Sequence, residues 1–315
     1  MENKKIHFKM KQSYTIPLIL VALWVILSIV QPVFRSSNNI VNLLRQASTL
    51  GVCAIGASFV ILSGETDLSV GAILGLVGML TTKLISQGMS VAAAVLIGIV
   101  TGAVCGAING IIVQYTRIPS FIATMGTMTA YRGIAELING GKIVAGMPES
   151  FSKFASVTVL GLPTLVWIYI AVAALGTFIM SKTLFGRNVY AVGSNAQVAE
   201  LSGISVHKTS IFVFAISGAL AGVAGLMYAA RMGQGLPAAG AGYELNCIAS
   251  AVIGGASFTG GEGTIIGTVF GTFIIQTLQN GGNLLKINSF WLEVITGALL
   301  ILAVSIDTLS KRKRK

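Results

Sequence analysis

The sequence predicts an all-α polytopic membrane protein of about ten transmembrane helices, folded as one membrane domain over residues 1–315. Three observations predict it. Apolar side chains make up 54% of the chain and 38 further residues are Gly, while charged residues are only 10%, against about 25% in a soluble domain. The apolar residues gather in runs that approach the roughly 20 residues a helix needs to cross a bilayer. Basic residues flank those runs and the chain ends, the arrangement that orients membrane proteins. With a mean hydropathy of +0.84, this pattern excludes a disulfide-stapled secreted domain, a disordered chain and an ordinary cytosolic enzyme.

Taken in order, the chain opens on a basic segment, residues 1–15, with Lys4, Lys5, Lys9 and Lys11, expected to be a cytoplasmic tail. The first apolar run, 16–33, ends in Val30-Gln31-Pro32-Val33-Phe34 instead of a small-residue cleavage pattern, and reads as an uncleaved span. Further spans are expected at 47–63, 68–86, 90–113, 119–138, 163–181, 209–229, 244–258, 264–281 and 289–306. The eighth is the weakest, because Gly254, Gly255, Gly260, Gly261 and Gly263 crowd its end. Between spans 6 and 7 lies a charged cytoplasmic loop, 182–208, and the chain ends in a basic cytoplasmic tail, 307–315. Ten crossings return the C-terminus to the side of the N-terminus. Thirteen of the 21 Lys and Arg then fall on the cytoplasmic side, seven outside, and Arg132 within span 5, as the positive-inside rule asks. The net charge of +11 is therefore concentrated at the membrane surface, where anionic lipid is its partner; no nucleic-acid interface is expected.

Two ladders of small residues, Gly102-x-x-x-Gly106-x-x-x-Gly110 and Gly263-x-x-x-Gly267-x-x-x-Gly271, predict helices packed backbone to backbone. They also suggest a repeat. Asp67-Leu68 followed by Ala72, then Arg117-Ile118-Pro119-Ser120-Phe121, has the same order as Glu244-Leu245 followed by Ala249, then Lys286-Ile287-Asn288-Ser289-Phe290. Spans 2–5 would match spans 7–10. Five spans separate the two copies, so they would cross in opposite directions, as in an inverted-repeat transporter. On that alignment Asp67 and Glu244 are equivalent, each at a helix start, on opposite sides of the membrane.

Catalytic motifs are missing. The one Gly-Lys pair, Gly141-Lys142, lacks the spacing of a phosphate loop, so the chain is not expected to hydrolyse nucleotide itself. His7 and His207 have no second ligand at helical spacing, and Cys53, Cys105 and Cys247 read as small buried hydrophobes. No enzyme activity, metal or cofactor is expected. Candidate residues of a pathway or gate are instead the polar groups in and beside the spans: Glu65, Asp67, Asn109, Phe121, Thr124, Tyr243 and Glu244. Glu65-Thr66-Asp67-Leu68-Ser69 is the densest such cluster, read either as a broken-helix gate or as a cap in which Asp67 or Ser69 satisfies the start of span 3. Hydroxyls and amides in spans 4 and 5 suit a neutral polyhydroxyl solute, or equally hydrogen bonds between helices. In the long loop, Asn195-Ala196-Gln197-Val198-Ala199-Glu200-Leu201-Ser202-Gly203 reads as a short helix ended by Gly, suited to the membrane surface or to docking a cytoplasmic partner.

At this point a family resemblance becomes specific. Gly64-Glu65-Thr66-Asp67-Leu68-Ser69-Val70-Gly71, Arg117-Ile118-Pro119-Ser120-Phe121-Ile122-Ala123-Thr124, Gly186-Arg187 through Gly203-Ile204, Gly240-Ala241-Gly242-Tyr243-Glu244-Leu245 and Gly254-Gly255 through Gly263 together resemble the ribose-type sugar ABC permeases. These belong to the branched-chain amino acid/ribose permease superfamily of binding-protein-dependent transport systems, and the likeness runs along the whole chain. It implies a type II ABC importer-like fold in a bacterial inner membrane, a homodimer, two ATP-binding cassette subunits docked on cytoplasmic loops, and an extracytoplasmic sugar-binding protein that delivers ribose or a similar sugar. The importer element E-A-A-x-x-x-G falls on Gln197-Val198-Ala199 and Gly203, which implies coupling to the ATPase through Ala196, Gln197, Val198, Ala199, Glu200 and Gly203. Here Gln stands where the element has Glu, and no Ile-x-Leu-Pro follows in Phe212-Val213-Phe214. The alternative is an ion-coupled secondary transporter of a small neutral solute, for which an inverted repeat and acids within spans are also expected.

Overall fold

Apolar runs of this length leave the chain one way to satisfy its backbone in lipid, by helices. In the computed structural model, which describes residues 12–312, the elements in order are α1 (Gln12–Val30), α2 (Ser37–Leu62), α3 (Val70–Ser86), α4 (Val91–Thr116), α5 (Ser120–Leu137), α6 (Glu149–Ser156), a two-stranded hairpin of β1 (Thr158–Val159) and β2 (Leu162–Pro163), α7 (Thr164–Lys182), α8 (Leu184–Ser194), α9 (Ala196–Leu201), α10 (Val206–Met232), α11 (Tyr243–Ile253), α12 (Ile265–Leu284) and α13 (Ser289–Arg312). The protein is an all-α polytopic membrane fold. Each of the ten expected spans lies on a helix of its own. Among the described residues five helices, α2, α4, α7, α10 and α13, are long and apolar enough to cross a bilayer unaided.

Three boundaries depart from expectation. Helix α2 begins ten residues before the expected 47, because its polar first half is paired inside the bundle: Asn39 and Asn280 exchange side-chain amide bonds at 3.0 and 2.9 Å, and Gln276 donates to Gln46 at 3.0 Å. The expected eighth span is a helix of only 11 residues, about 16 Å long, or half the hydrocarbon thickness. The basic tail at 307–315 is helical as far as Arg312, a continuation of α13. The lysines assigned to the N-terminal tail lie outside the described residues.

The core is made by backbone proximity. α4 and α10 lie antiparallel with Gly102, Gly106 and Gly110 against Gly218, Phe214 and Ile211 in turn; a Cβ on Gly106 would overlap the Phe214 carbonyl. Gly267 and Gly271 meet the carbonyls of Gly254 and Ser250 in the same manner, whereas Gly263, the first rung of the second ladder, lies in the loop ahead of α12 against Ala256. The pairing of helices is itself repeated. α3 packs on α4, α5 and α10, while α11 packs on α12, α13 and α2. Arg117 and Lys286, which open the matched motifs, both adopt the left-handed region, with φ of 59° and 57°.

Candidate functional site

The polar cluster at 63–69 is a re-entrant segment. After α2 ends at Leu62, the chain turns back into the bundle, and Asp67 comes to rest 2% exposed against Ser217. Ser217 lies eleven residues into α10, about 16 Å from that helix's start. Asp67 Oδ1 accepts from the Ser69 backbone N–H at 2.9 Å and from the Ser69 hydroxyl at 2.7 Å, and Oδ2 accepts from the Ser217 hydroxyl at 3.0 Å. Ser69 Oγ in turn accepts from Asn109 Nδ2 at 2.7 Å, and Asn109 Oδ1 accepts from the Tyr131 hydroxyl at 3.3 Å. Neither capping candidate bonds an N–H of α3: the Ser69 side chain makes no cap bond, and Asp67 accepts from the N–H of Ser69, the residue just ahead of the helix. On the other flank Ser120 Oγ accepts from Thr66 N–H at 3.0 Å and Thr124 Oγ1 accepts from Leu68 N–H at 3.1 Å. One short segment is thereby tied to α4, α5 and α10.

A second segment enters from the other end. Gly235 lies against Thr82, Ala239 against Gly75 and Gly240 against Gly71, so that residues 235–240 descend along α3 toward its buried start. Arg132 Nη1 holds this segment by donating to the Ala239 carbonyl. Helix α11 then starts inside the bundle, with Glu244 Oε1 accepting from Gly242 N–H at 3.1 Å. Its Oε2 is buried beside Gly71, where a Cβ would overlap it, and has no hydrogen-bond partner among the described residues.

This corrects the expectation that Asp67 and Glu244 lie on opposite sides. Both are at helix starts, but the two helices begin in the interior and diverge, α3 toward one end and α11 toward the other. The carboxylates share one junction, each facing the positive end of a helix dipole. Among the described residues no Lys or Arg forms an ion pair with either. Gly71 and Gly240 close the junction backbone to backbone, which leaves no room for a solute between them.

The remaining candidates scatter. Glu65 is half-buried next to Thr66. Phe121 is 51% exposed on α5, turned away from the junction. Tyr243 packs edge-on to Tyr228, with ring centroids 6.2 Å apart. Sequence reading passed over Ser217 and Arg132 as partners, because the contacts run across 150 and 107 residues and no local spacing encodes them.

The short helix of the long loop is present as expected. Asn195 accepts from Val198 N–H at 3.1 Å to start α9, and Gly203, at φ +83°, ends it. Ala199 faces inward, while Val198 and Leu201 are exposed, Leu201 by 89%. Helix α8 seats this knob on the bundle: Gly193 packs against the Leu62 carbonyl and Tyr190 donates to the Gly263 carbonyl at 2.9 Å.

A family model described as branched-chain amino acid transport system / permease component matches residues 39–304. The chain belongs to this permease family. Both re-entrant segments and the α8–α9 unit fall inside the matched range. Among relatives, the ribose import permease protein of Bacillus subtilis is 40% identical over 309 residues, covering 97% of this chain and 96% of its own. The D-allose transport system permease protein of Escherichia coli is 41% identical over 277 residues, covering 88% and 85%, and the ribose import permease protein of Haemophilus influenzae is 38% identical over 301, covering 94% and 92%. No solved structure matches the chain. As a permease component the protein is a transport subunit and not an enzyme.

Proposed function

We propose that this permease carries a simple sugar, ribose or a close relative, across a bacterial inner membrane as the channel-forming subunit of an ATP-driven importer. The observation that supports it most is near full-length likeness to permeases named for ribose and D-allose. In this reading an extracytoplasmic binding protein delivers the sugar, and an ATP-binding cassette subunit docks on α9, where Val198 and Leu201 stand exposed. Residues 182–208 are then cytoplasmic, as are both termini. The Asp67–Ser69–Asn109–Tyr131 chain holds the first re-entrant segment and Arg132 the second, so that these residues set the gate's position and the sugar passes elsewhere. A second copy covers part of the bare face of α13, which exposes Phe290, Trp291, Val294 and Ile295.

The test is stimulation of ATP hydrolysis in proteoliposomes holding the permease and its cassette subunit. Sugar-loaded binding protein is expected to raise the rate only when the permease is present. An unchanged rate, with sugar entering on a proton or sodium gradient instead, would establish the ion-coupled alternative.

A further inference from the structure

Between α11, α12 and α13, at the end of the bundle away from α9, the fold forms an open-sided cavity of about 510 Å³. The geometry points to this cavity as a binding site for a neutral polyhydroxyl solute, with Asn246, Asn283 and Glu293 as its principal hydrogen-bonding groups. The assignment rests on the reading of the chain as a sugar permease and adds the place where the chain meets the sugar.

Three helices turn polar residues onto this one space. On α12, Gln279 and Asn283 are one turn apart; on α13, Ser289, Glu293 and Thr296 follow at i, i+4 and i+7 and share a face. Asn246 comes from the first turn of α11, and its Oδ1 accepts from Gln279 Nε2 at 3.2 Å. Polar and ionisable groups are expensive against hydrocarbon and mark solute or ion paths when they converge. The stripe is confined to one side of α13, since the apolar Phe290, Trp291, Val294 and Ile295 are exposed beside it, on the face assigned above to a second copy.

The depth also fits. The lining of α13 runs from Ser289 to Leu300, a rise of about 16 Å along the helix. It therefore reaches from the α12–α13 turn to the half-buried start of α11, where Gly242 is among the lining residues. Gly282 permits the closure, as a Cβ there would overlap Leu292. The volume lies within the range of roughly 300–1,000 Å³ usual for small-molecule sites.

The lining selects a chemical class. A carboxylate and three amides accept from and donate to hydroxyls, and Leu245, Leu292 and Leu300 offer aliphatic surface to the C–H face of a ring. No Lys or Arg lines the space, so an anionic solute would find no counter-charge.

Cysteine protection tests this on the full chain in lipid. The native Cys53, Cys105 and Cys247 are buried and give little background with a membrane-impermeant thiol reagent. D-Ribose, D-xylose or D-allose at millimolar concentration is expected to slow labelling of Asn283→Cys and to leave the exposed hairpin control Leu160→Cys unchanged. Asn283→Leu and Glu293→Leu, both at exposed positions, are expected to lower sugar uptake about tenfold, the loss of about one hydrogen bond, with thermal stability retained. If wild-type permease with its ATPase and binding protein imports sugar while neither variant slows it and no sugar protects position 283, the cavity assignment falls and the permease reading stands. If the wild type imports none of the three sugars, the permease reading falls and takes this assignment with it.

Discussion

Asp67 uses both carboxylate oxygens, one on Ser69 and one on Ser217, and this sets what its substitution costs. Asn keeps the Oδ1 acceptor and presents an amide to the Ser217 hydroxyl, so Asp67→Asn is expected to retain most stability and transport. Ala leaves the buried Ser69 N–H and two hydroxyls without their acceptor, a loss of about 1 to 3 kcal/mol. Thermal unfolding in detergent with parallel uptake measurements checks this; equal damage from Asn and Ala at unchanged stability would instead mark a role for the charge. That Asp67 would bond the backbone just ahead of α3 was legible in the sequence because Asx-turn chemistry is local. Its partner in α10 was not, since only the folded bundle brings residues 67 and 217 together. The same limit explains Glu244, whose place beside Gly71 depends on a re-entrant backbone that hydropathy averages into a span.

Elements divide into those that hydropathy reveals and those that it hides. Long lipid-facing helices such as α4 and α7 announce themselves, because every exposed position must be apolar. The first half of α2 did not, for its Asn and Gln side chains are satisfied by α12. α11 was misread in length: five glycines after it looked like the frayed end of a span, whereas the crossing is completed by the non-helical, turn-rich residues 235–242 ahead of it. The Gly ladders carry a prediction at this scale. Gly106→Ala and Gly218→Ala are expected to lower stability by about 1 to 3 kcal/mol, because each Cβ meets the partner backbone. Gly126→Ala on α5, with nothing within 4 Å, is expected to be neutral or stabilising by a few tenths to about 1 kcal/mol. Equal effects at all three would mean that α4 and α10 are not in backbone contact. For α9, Ala199 is buried and Gly203 is left-handed, so changing either distorts the knob itself. Leu201→Glu is the cleaner probe, expected to abolish co-purification of the cassette subunit with insertion and melting temperature unchanged; retained co-purification would place the docking site elsewhere.

At the centre of the molecule two helix quartets, α2–α5 and α10–α13, are paired in the same order, with α3 and the half-length α11 starting from a shared interior junction. The proposed orientation puts the hairpin tip and α9 on opposite faces. A membrane-impermeant reagent applied to right-side-out vesicles is expected to label Leu160→Cys and spare Leu201→Cys, and the reverse pattern would invert the topology. Transport itself is the central claim, and the most direct measurement is uptake of labelled D-ribose, D-xylose or D-allose into proteoliposomes with the energy source varied. The account predicts accumulation only when the permease, the cassette subunit with ATP, and the loaded binding protein are present together. Accumulation by the permease alone on a proton or sodium gradient would contradict it.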